Sequence, residues 1–88
     1  MKLYCVYDRR AELANPPFSF PNNALAIRNF ALQVNASNSP DRPNVLALYP
    51  DDFALYYIGE MDDKTCELIT HSPSVLLSTA KELLTPPQ

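Results

Sequence analysis

The chain carries one glycine, Gly59, against nine prolines in 88 residues. A glycine-rich loop that lets backbone N–H groups wrap a phosphate needs two or three glycines at fixed spacing. Dinucleotide-binding loops and P-loops are therefore excluded by count alone. Prolines fix φ and remove a donor, so the connections of such a chain are long and stiff rather than tight. At this length one hydrophobic core is closed and a second is not. The 47% apolar and 19% charged composition is that of a folded chain and not of a disordered tail.

Seven basic and ten acidic residues give a net charge of -3, which argues against the broad basic surface of a strong duplex-DNA binder. The average conceals an asymmetry. Residues 1–44 hold Lys2, Arg9, Arg10, Arg28 and Arg42 against Asp8, Glu12 and Asp41, whereas residues 45–88 hold two bases against seven acids. A basic half is joined to an acidic half, which suits steering of a polyanion to one side, head-to-tail self-docking, or simply a solvated acidic face.

Cys5 and Cys66 are too far apart for C-x-x-C chemistry and His71 is the only histidine, so no tetrahedral zinc set is expected within one chain. The longest apolar run, Phe53 to Ile58, is far short of a membrane span, and no apolar signal segment follows Met1-Lys2. A cytoplasmic protein without membrane contact is expected.

Residues 2–8 are rich in β-branched and aromatic side chains and read as a central strand, with Leu3, Cys5 and Tyr7 on one face and Tyr4 and Val6 on the other. Residues 9–21 hold Asn15-Pro16-Pro17 and Pro21 and read as an extended loop that packs down Phe18 and Phe20. Asn22-Asn23 caps a helix to about Asn35, with Ala24, Ile27, Phe30, Ala31 and Val34 on the inward stripe. Leu25 and Leu32 fall on another side of that helix, where they cover the proline loop or meet a partner chain.

After a polar loop, Asp41-Arg42-Pro43 reads as the cap and first turn of a short helical turn over residues 45–49. Residues 53–60 are the strongest strand, Met61 to Lys64 its turn, and residues 65–70 the returning strand of a hairpin. Ser72-Pro73 reads as an N-cap and first-turn proline opening a final helix to about Leu84, with Val75, Leu76, Thr79, Ala80 and Leu83 inward. The expected fold is a single α+β domain over residues 1–85, ordered β-α-β-β-α, with an antiparallel sheet of about three strands covered by two helices. Residues 86–88 are expected to fray.

Few residues support reaction chemistry. His71 beside Ser72 fits a turn, and Glu60, Asp62 and Asp63 crowd a hairpin without the twelve-residue spacing of a calcium loop. Cys5 reads as a small buried hydrophobe and Cys66 as an exposed thiol, neither flanked by bases that would activate it. No enzyme, metal or cofactor is expected. Single-stranded nucleic acid binding needs cations along phosphates and aromatic faces under bases. Lys2, Arg9, Arg10, Arg28 and Arg42, with Tyr4 as a stacking platform, are the candidates.

The order of Met1-Lys2-Leu3-Tyr4, Tyr7-Asp8, Asn15-Pro16-Pro17-Phe18, Ala26-x-Arg28-x-Phe30 and Pro50-Asp51-Asp52-Phe53-x-Leu55-Tyr56-Tyr57-Ile58-Gly59-Glu60 resembles the small nonstructural protein of gokushovirus-type microviruses, bacteriophages with single-stranded DNA genomes. The resemblance implies a non-enzymatic protein of the infected cell's cytoplasm. It implies weak single-stranded DNA binding during genome replication or packaging. The alternative is an interaction module that assembles with itself or with a replication or capsid protein through Leu25, Leu32 and the acidic half. That family usually has glycine just after the acidic turn, where this chain has Thr65-Cys66. Either Cys66 takes a positive φ there, or the turn has shifted register.

Overall fold

Three stretches of alternating side chains, at residues 2–8, 53–61 and 68–79, assemble into one antiparallel sheet in the computed structural model, which describes residues 1–85. The tail at residues 86–88 lies outside the described residues. The elements are β1 Lys2–Asp8, β2 Leu13–Ala14, β3 Phe18–Phe20, α1 Asn23–Val34, α2 Val45–Leu48, β4 Phe53–Met61, β5 Leu68–Thr79 and α3 Ala80–Leu83. The sheet runs β2-β1-β4-β5, with β3 also bonded to β1. The α+β class and the antiparallel sheet are as expected; among the described residues the sheet has five strands instead of about three, and there are three short helices instead of two.

The extra strands come from the proline segment. Pro16, Pro17 and Pro21 forbid a continuous ladder, but the residues on either side of Pro16-Pro17 still bond the outer edge of β1, Ala14 opposite Tyr7 and Phe18 opposite Tyr4. The larger correction lies at residues 72–84, expected as a helix. Here β5 continues to Thr79, with Val75 opposite Tyr57 and Leu76 opposite Tyr56, and only Ala80–Leu83 is helical. Ser72-Pro73 resembles a helix start, but β5 is the outermost strand, where a missing N–H is tolerated, and its register shifts at that point. The helix cap is instead Thr79, whose hydroxyl accepts from the Glu82 N–H while the Glu82 side chain reaches back.

The core lies on one face. Tyr4 and Val6 of β1, Phe53 and Leu55 of β4, Ala26, Phe30 and Val34 of α1, and Ala80 of α3 form a single buried cluster. Helical spacing selects Ala26, Phe30 and Val34, and Ala24, expected inward, is exposed. Asn22 caps α1 as expected, its side chain accepting from Leu25 N–H at 2.9 Å. Leu46 of α2 packs against the same cluster; the helical turn is where expected, but its cap is Asn44, whose side chain accepts from Leu46 N–H, and not Asp41 with Pro43 in the first turn. Among the described residues no helix is long and apolar enough to cross a membrane.

At the hairpin turn the Asp62 carboxylate accepts from Lys64 N–H at 2.8 Å, the Asp62 carbonyl accepts from Cys66 N–H at 2.8 Å, and Cys66 has φ 65°. That conformation is open to glycine and strained for cysteine by about 1 kcal/mol. Cys66→Gly is accordingly expected to raise the melting temperature by about 4–8 °C, the shift that 1 kcal/mol gives in a domain this small. A lower melting temperature would place Cys66 in ordinary strand backbone.

Candidate functional site

Strand alternation gives the sheet a second face. Leu3, Cys5 and Tyr7 point away from the core, and register places Tyr56 opposite Cys5, Ala54 opposite Tyr7, Ala14 opposite Tyr7 and Leu76 opposite Tyr56. The three helices pack on the other side, so this face carries none. Cys5, Tyr7, Ala14, Tyr56 and Ser74 line a shallow groove of about 330 Å³. The rings of Tyr7 and Tyr56 meet edge to face, with centroids 6.3 Å apart. All five lining residues are uncharged.

The residues expected to contact DNA are not brought together. Tyr4, expected as the stacking platform, is fully buried, its ring among Phe18, Phe20 and Tyr57 and its hydroxyl donating to Asn23 Oδ1 at 2.9 Å. It is a core residue because it points to the helix side of β1. Lys2 stands at the opposite end of β1 from Arg9 and Arg10, roughly 20 Å away along a seven-residue strand. Arg28 is exposed on α1. Arg10 and Arg42 border two neighbouring grooves, of about 610 and 670 Å³, that share Asp8, Val45 and Phe53.

The basic and acidic halves of the sequence do not become basic and acidic ends. Antiparallel pairing of β1 with β4 sets Lys2 opposite Glu60, and Arg9 N–H donates to the Asp52 carbonyl at 2.7 Å. The N-terminal ammonium lies 3.6 Å from Asp63. What composition separates, the sheet register interleaves.

Tyr56 carries no signal for this role in the sequence, and Tyr7 stands there only as one of the aromatics interleaved with the cations, with Tyr4 as the expected platform. Tyr7 was already placed opposite Tyr4 by alternation, but which face the helices would cover was not readable from the strand alone. Leu25 and Leu32 are both exposed, Leu32 at 68%, so the latter does not lie under the proline loop.

A second cluster sits at the far end of the core face. Tyr57 donates to Glu60 Oε1 at 2.6 Å, Lys2 Nζ lies 5.9 Å from the Tyr57 ring centroid, and His71 packs on that ring at 4.8 Å. The hydrogen bond to Glu60, with burial second, pushes the Tyr57 phenol from 10 up to about 12. The same bond draws the Glu60 carboxyl below its ordinary range, helped by Lys2. A depressed carboxylate contributes stability that is present above its unfolded pKa of about 4.3 and lost as pH falls through the folded value. A raised phenol contributes stability lost as pH rises from about 10 to 12. Tyr57→Phe is therefore expected to melt below wild type between about pH 6 and 9, the difference closing in acid as Glu60 protonates. A gap that stays constant down to about pH 2 would assign the loss to packing instead.

Among known proteins, the family model described as "Phage ORF5 protein" matches residues 1–83. Protein ORF5 of Chlamydia phage 1 is 41% identical over 64 residues, which cover 70% of this chain. The chain spans about 64% of the length of that relative. No solved structure matches.

Proposed function

We propose, from the premise that this chain belongs to the phage ORF5 protein family, that it is a non-enzymatic protein holding single-stranded DNA weakly across the helix-free face of its sheet. Tyr7 and Tyr56 are the stacking surfaces, and Arg9 and Arg10, in the turn just beyond β1, take the phosphates. The process served is viral genome replication or packaging in the host cytoplasm. The observation that carries the reading is the placement of two half-exposed tyrosines side by side on the two central strands of a face whose groove holds no carboxylate. Bases stack on such rings irrespective of sequence, each contact contributing about 1–3 kcal/mol. With Arg9 and Arg10 alone taking phosphates, few are neutralised, which keeps the affinity low.

Titration of a fluorescent oligonucleotide at low and rising salt tests this. Tyr7→Ala with Tyr56→Ala is expected to weaken binding by at least about 30-fold, two stacks at ~1 kcal/mol or more each. Arg9→Ala with Arg10→Ala should flatten the salt slope by about 1.4, the single-strand value for two phosphates. Asp62→Ala with Asp63→Ala should not weaken binding. Absence of wild-type binding at low salt would remove the DNA reading altogether.

A second reading, docking on another protein without DNA contact, is favoured by the exposure of Leu25 and Leu32 on α1. It expects no oligonucleotide binding and a partner lost on Leu25→Glu with Leu32→Glu.

A further inference from the structure

The two edges of the sheet are built differently. The edge at β2 and β3 consists of strands of two and three residues separated by prolines, a form that offers little to an incoming strand. The other edge is β5, twelve residues long, with no strand beyond it among the described residues. Natural edges are guarded by charge, most often lysine, by proline or by bulges, and β5 has Pro73 and a register shift beside it as its guard. From Leu68 to Thr79 there is no Asp, Glu, Lys or Arg. Leu68, Ile69, Val75 and Leu76 on this one strand are each exposed by 46% or more.

We propose that the free edge of β5 pairs with β5 of a second copy of the chain, antiparallel across a two-fold axis, joining two sheets into one. A row of unpaired backbone donors and acceptors is met only by another extended strand, which excludes a nucleic acid or a small molecule as the occupant of this edge. Two chains of net charge -3 repel, so a contact between copies needs a seam without like charges, and β5 supplies it.

The antiparallel sense follows from charge as well. It holds the acidic tips, with Asp62, Asp63 and Glu67, at opposite ends of the pair, whereas parallel pairing would set them side by side. Centred on Ser74, it places Ile69 across from Thr79 of the second copy, each five residues from the axis and both within β5. Pro73 then lies next to the axis, in the stretch where β5 has already left its register with β4. The paired stretches become residues 75–79 of one copy against residues 69–73 of the other. This edge borders the tyrosine face through Ser74 and Leu76, but the backbone pairing along it does not depend on DNA binding.

Sedimentation velocity over a range of concentrations is the test, with no DNA present. The wild type is expected to pass from monomer to dimer, a doubling of mass, and Ile69→Lys with Leu76→Lys to stay monomeric with an unchanged circular dichroism spectrum. Leu25→Glu with Leu32→Glu, on α1, should still dimerise. Should the lysine variant fail to fold, hydrogen exchange of the wild type decides: β5 amides should exchange more slowly at high concentration than at low. A wild type that remains monomeric at the highest attainable concentration overturns the proposal. So does a folded lysine variant that still dimerises, dimer loss in the α1 variant, or β5 exchange independent of concentration.

Discussion

Gly59→Ala should cost this protein about 3 kcal/mol or more and lower its melting temperature by roughly 15 °C. Gly59 has φ 155°, and a Cβ there would collide with the Ile69 carbonyl oxygen and sit 3.0 Å from Thr70 Cα. Both obstacles are backbone, so no rotamer change relieves them. Gly59 is also held on both sides, opposite Leu3 of β1 and Thr70 of β5, at the point where both ladders shift register. Relief would require moving a neighbouring strand, which spreads the cost through hydrogen bonds that β4 makes on each edge. In a domain with a total stability of about 5–15 kcal/mol, that loss is a large fraction. A thermal melt of Gly59→Ala within about 2 °C of wild type would show that the bulge relaxes and is not what holds the register.

Tyr4→Ala is expected to have the second large effect, a loss of about 3–5 kcal/mol as for other aromatic truncations in a packed core. Its ring is enclosed by Phe18, Phe20 and Tyr57, and it belongs to the cluster that joins β1 to α1. Tyr4→Phe keeps that packing and removes only the hydroxyl's bond to Asn23 Oδ1, for about 1 kcal/mol. The pair of substitutions separates a core role from a nucleic-acid role. If Tyr4 acts only in the core, Tyr4→Phe binds the oligonucleotide as wild type does, and Tyr4→Ala loses binding only in step with unfolding. Reduced affinity of fully folded Tyr4→Phe would restore Tyr4 to the interface.

These two residues also mark the boundary between what the linear pattern holds and what it lacks. Alternation in residues 2–8 established that Tyr4 and Tyr7 point to opposite faces, and helical spacing with an Asn22 cap established α1. The short helix after Arg42 and the hairpin at Asp62 were equally legible, because each depends on contacts within a few residues. The resemblance to the phage family rested on motifs of the same local kind, and the family match bears it out.

Whatever depended on partners distant in sequence was decided by the tertiary structure. Ser72-Pro73 carries a sound local helix signal, but residues 75–79 gain more by pairing with β4, and propensity in a short segment is too weak to resist a ladder already templated by a central strand. The proline segment became edge strands for the same reason, since β1 had an unpaired edge to satisfy. The candidate site follows this division. The five cations of residues 1–44 are spread over both ends of β1, α1 and the loop after it, and register places Glu60 beside Lys2 and Asp52 beside Arg9. Which tyrosine meets solvent was set by where α1, α2 and α3 dock, a choice between two apolar faces of one strand that only long-range packing makes.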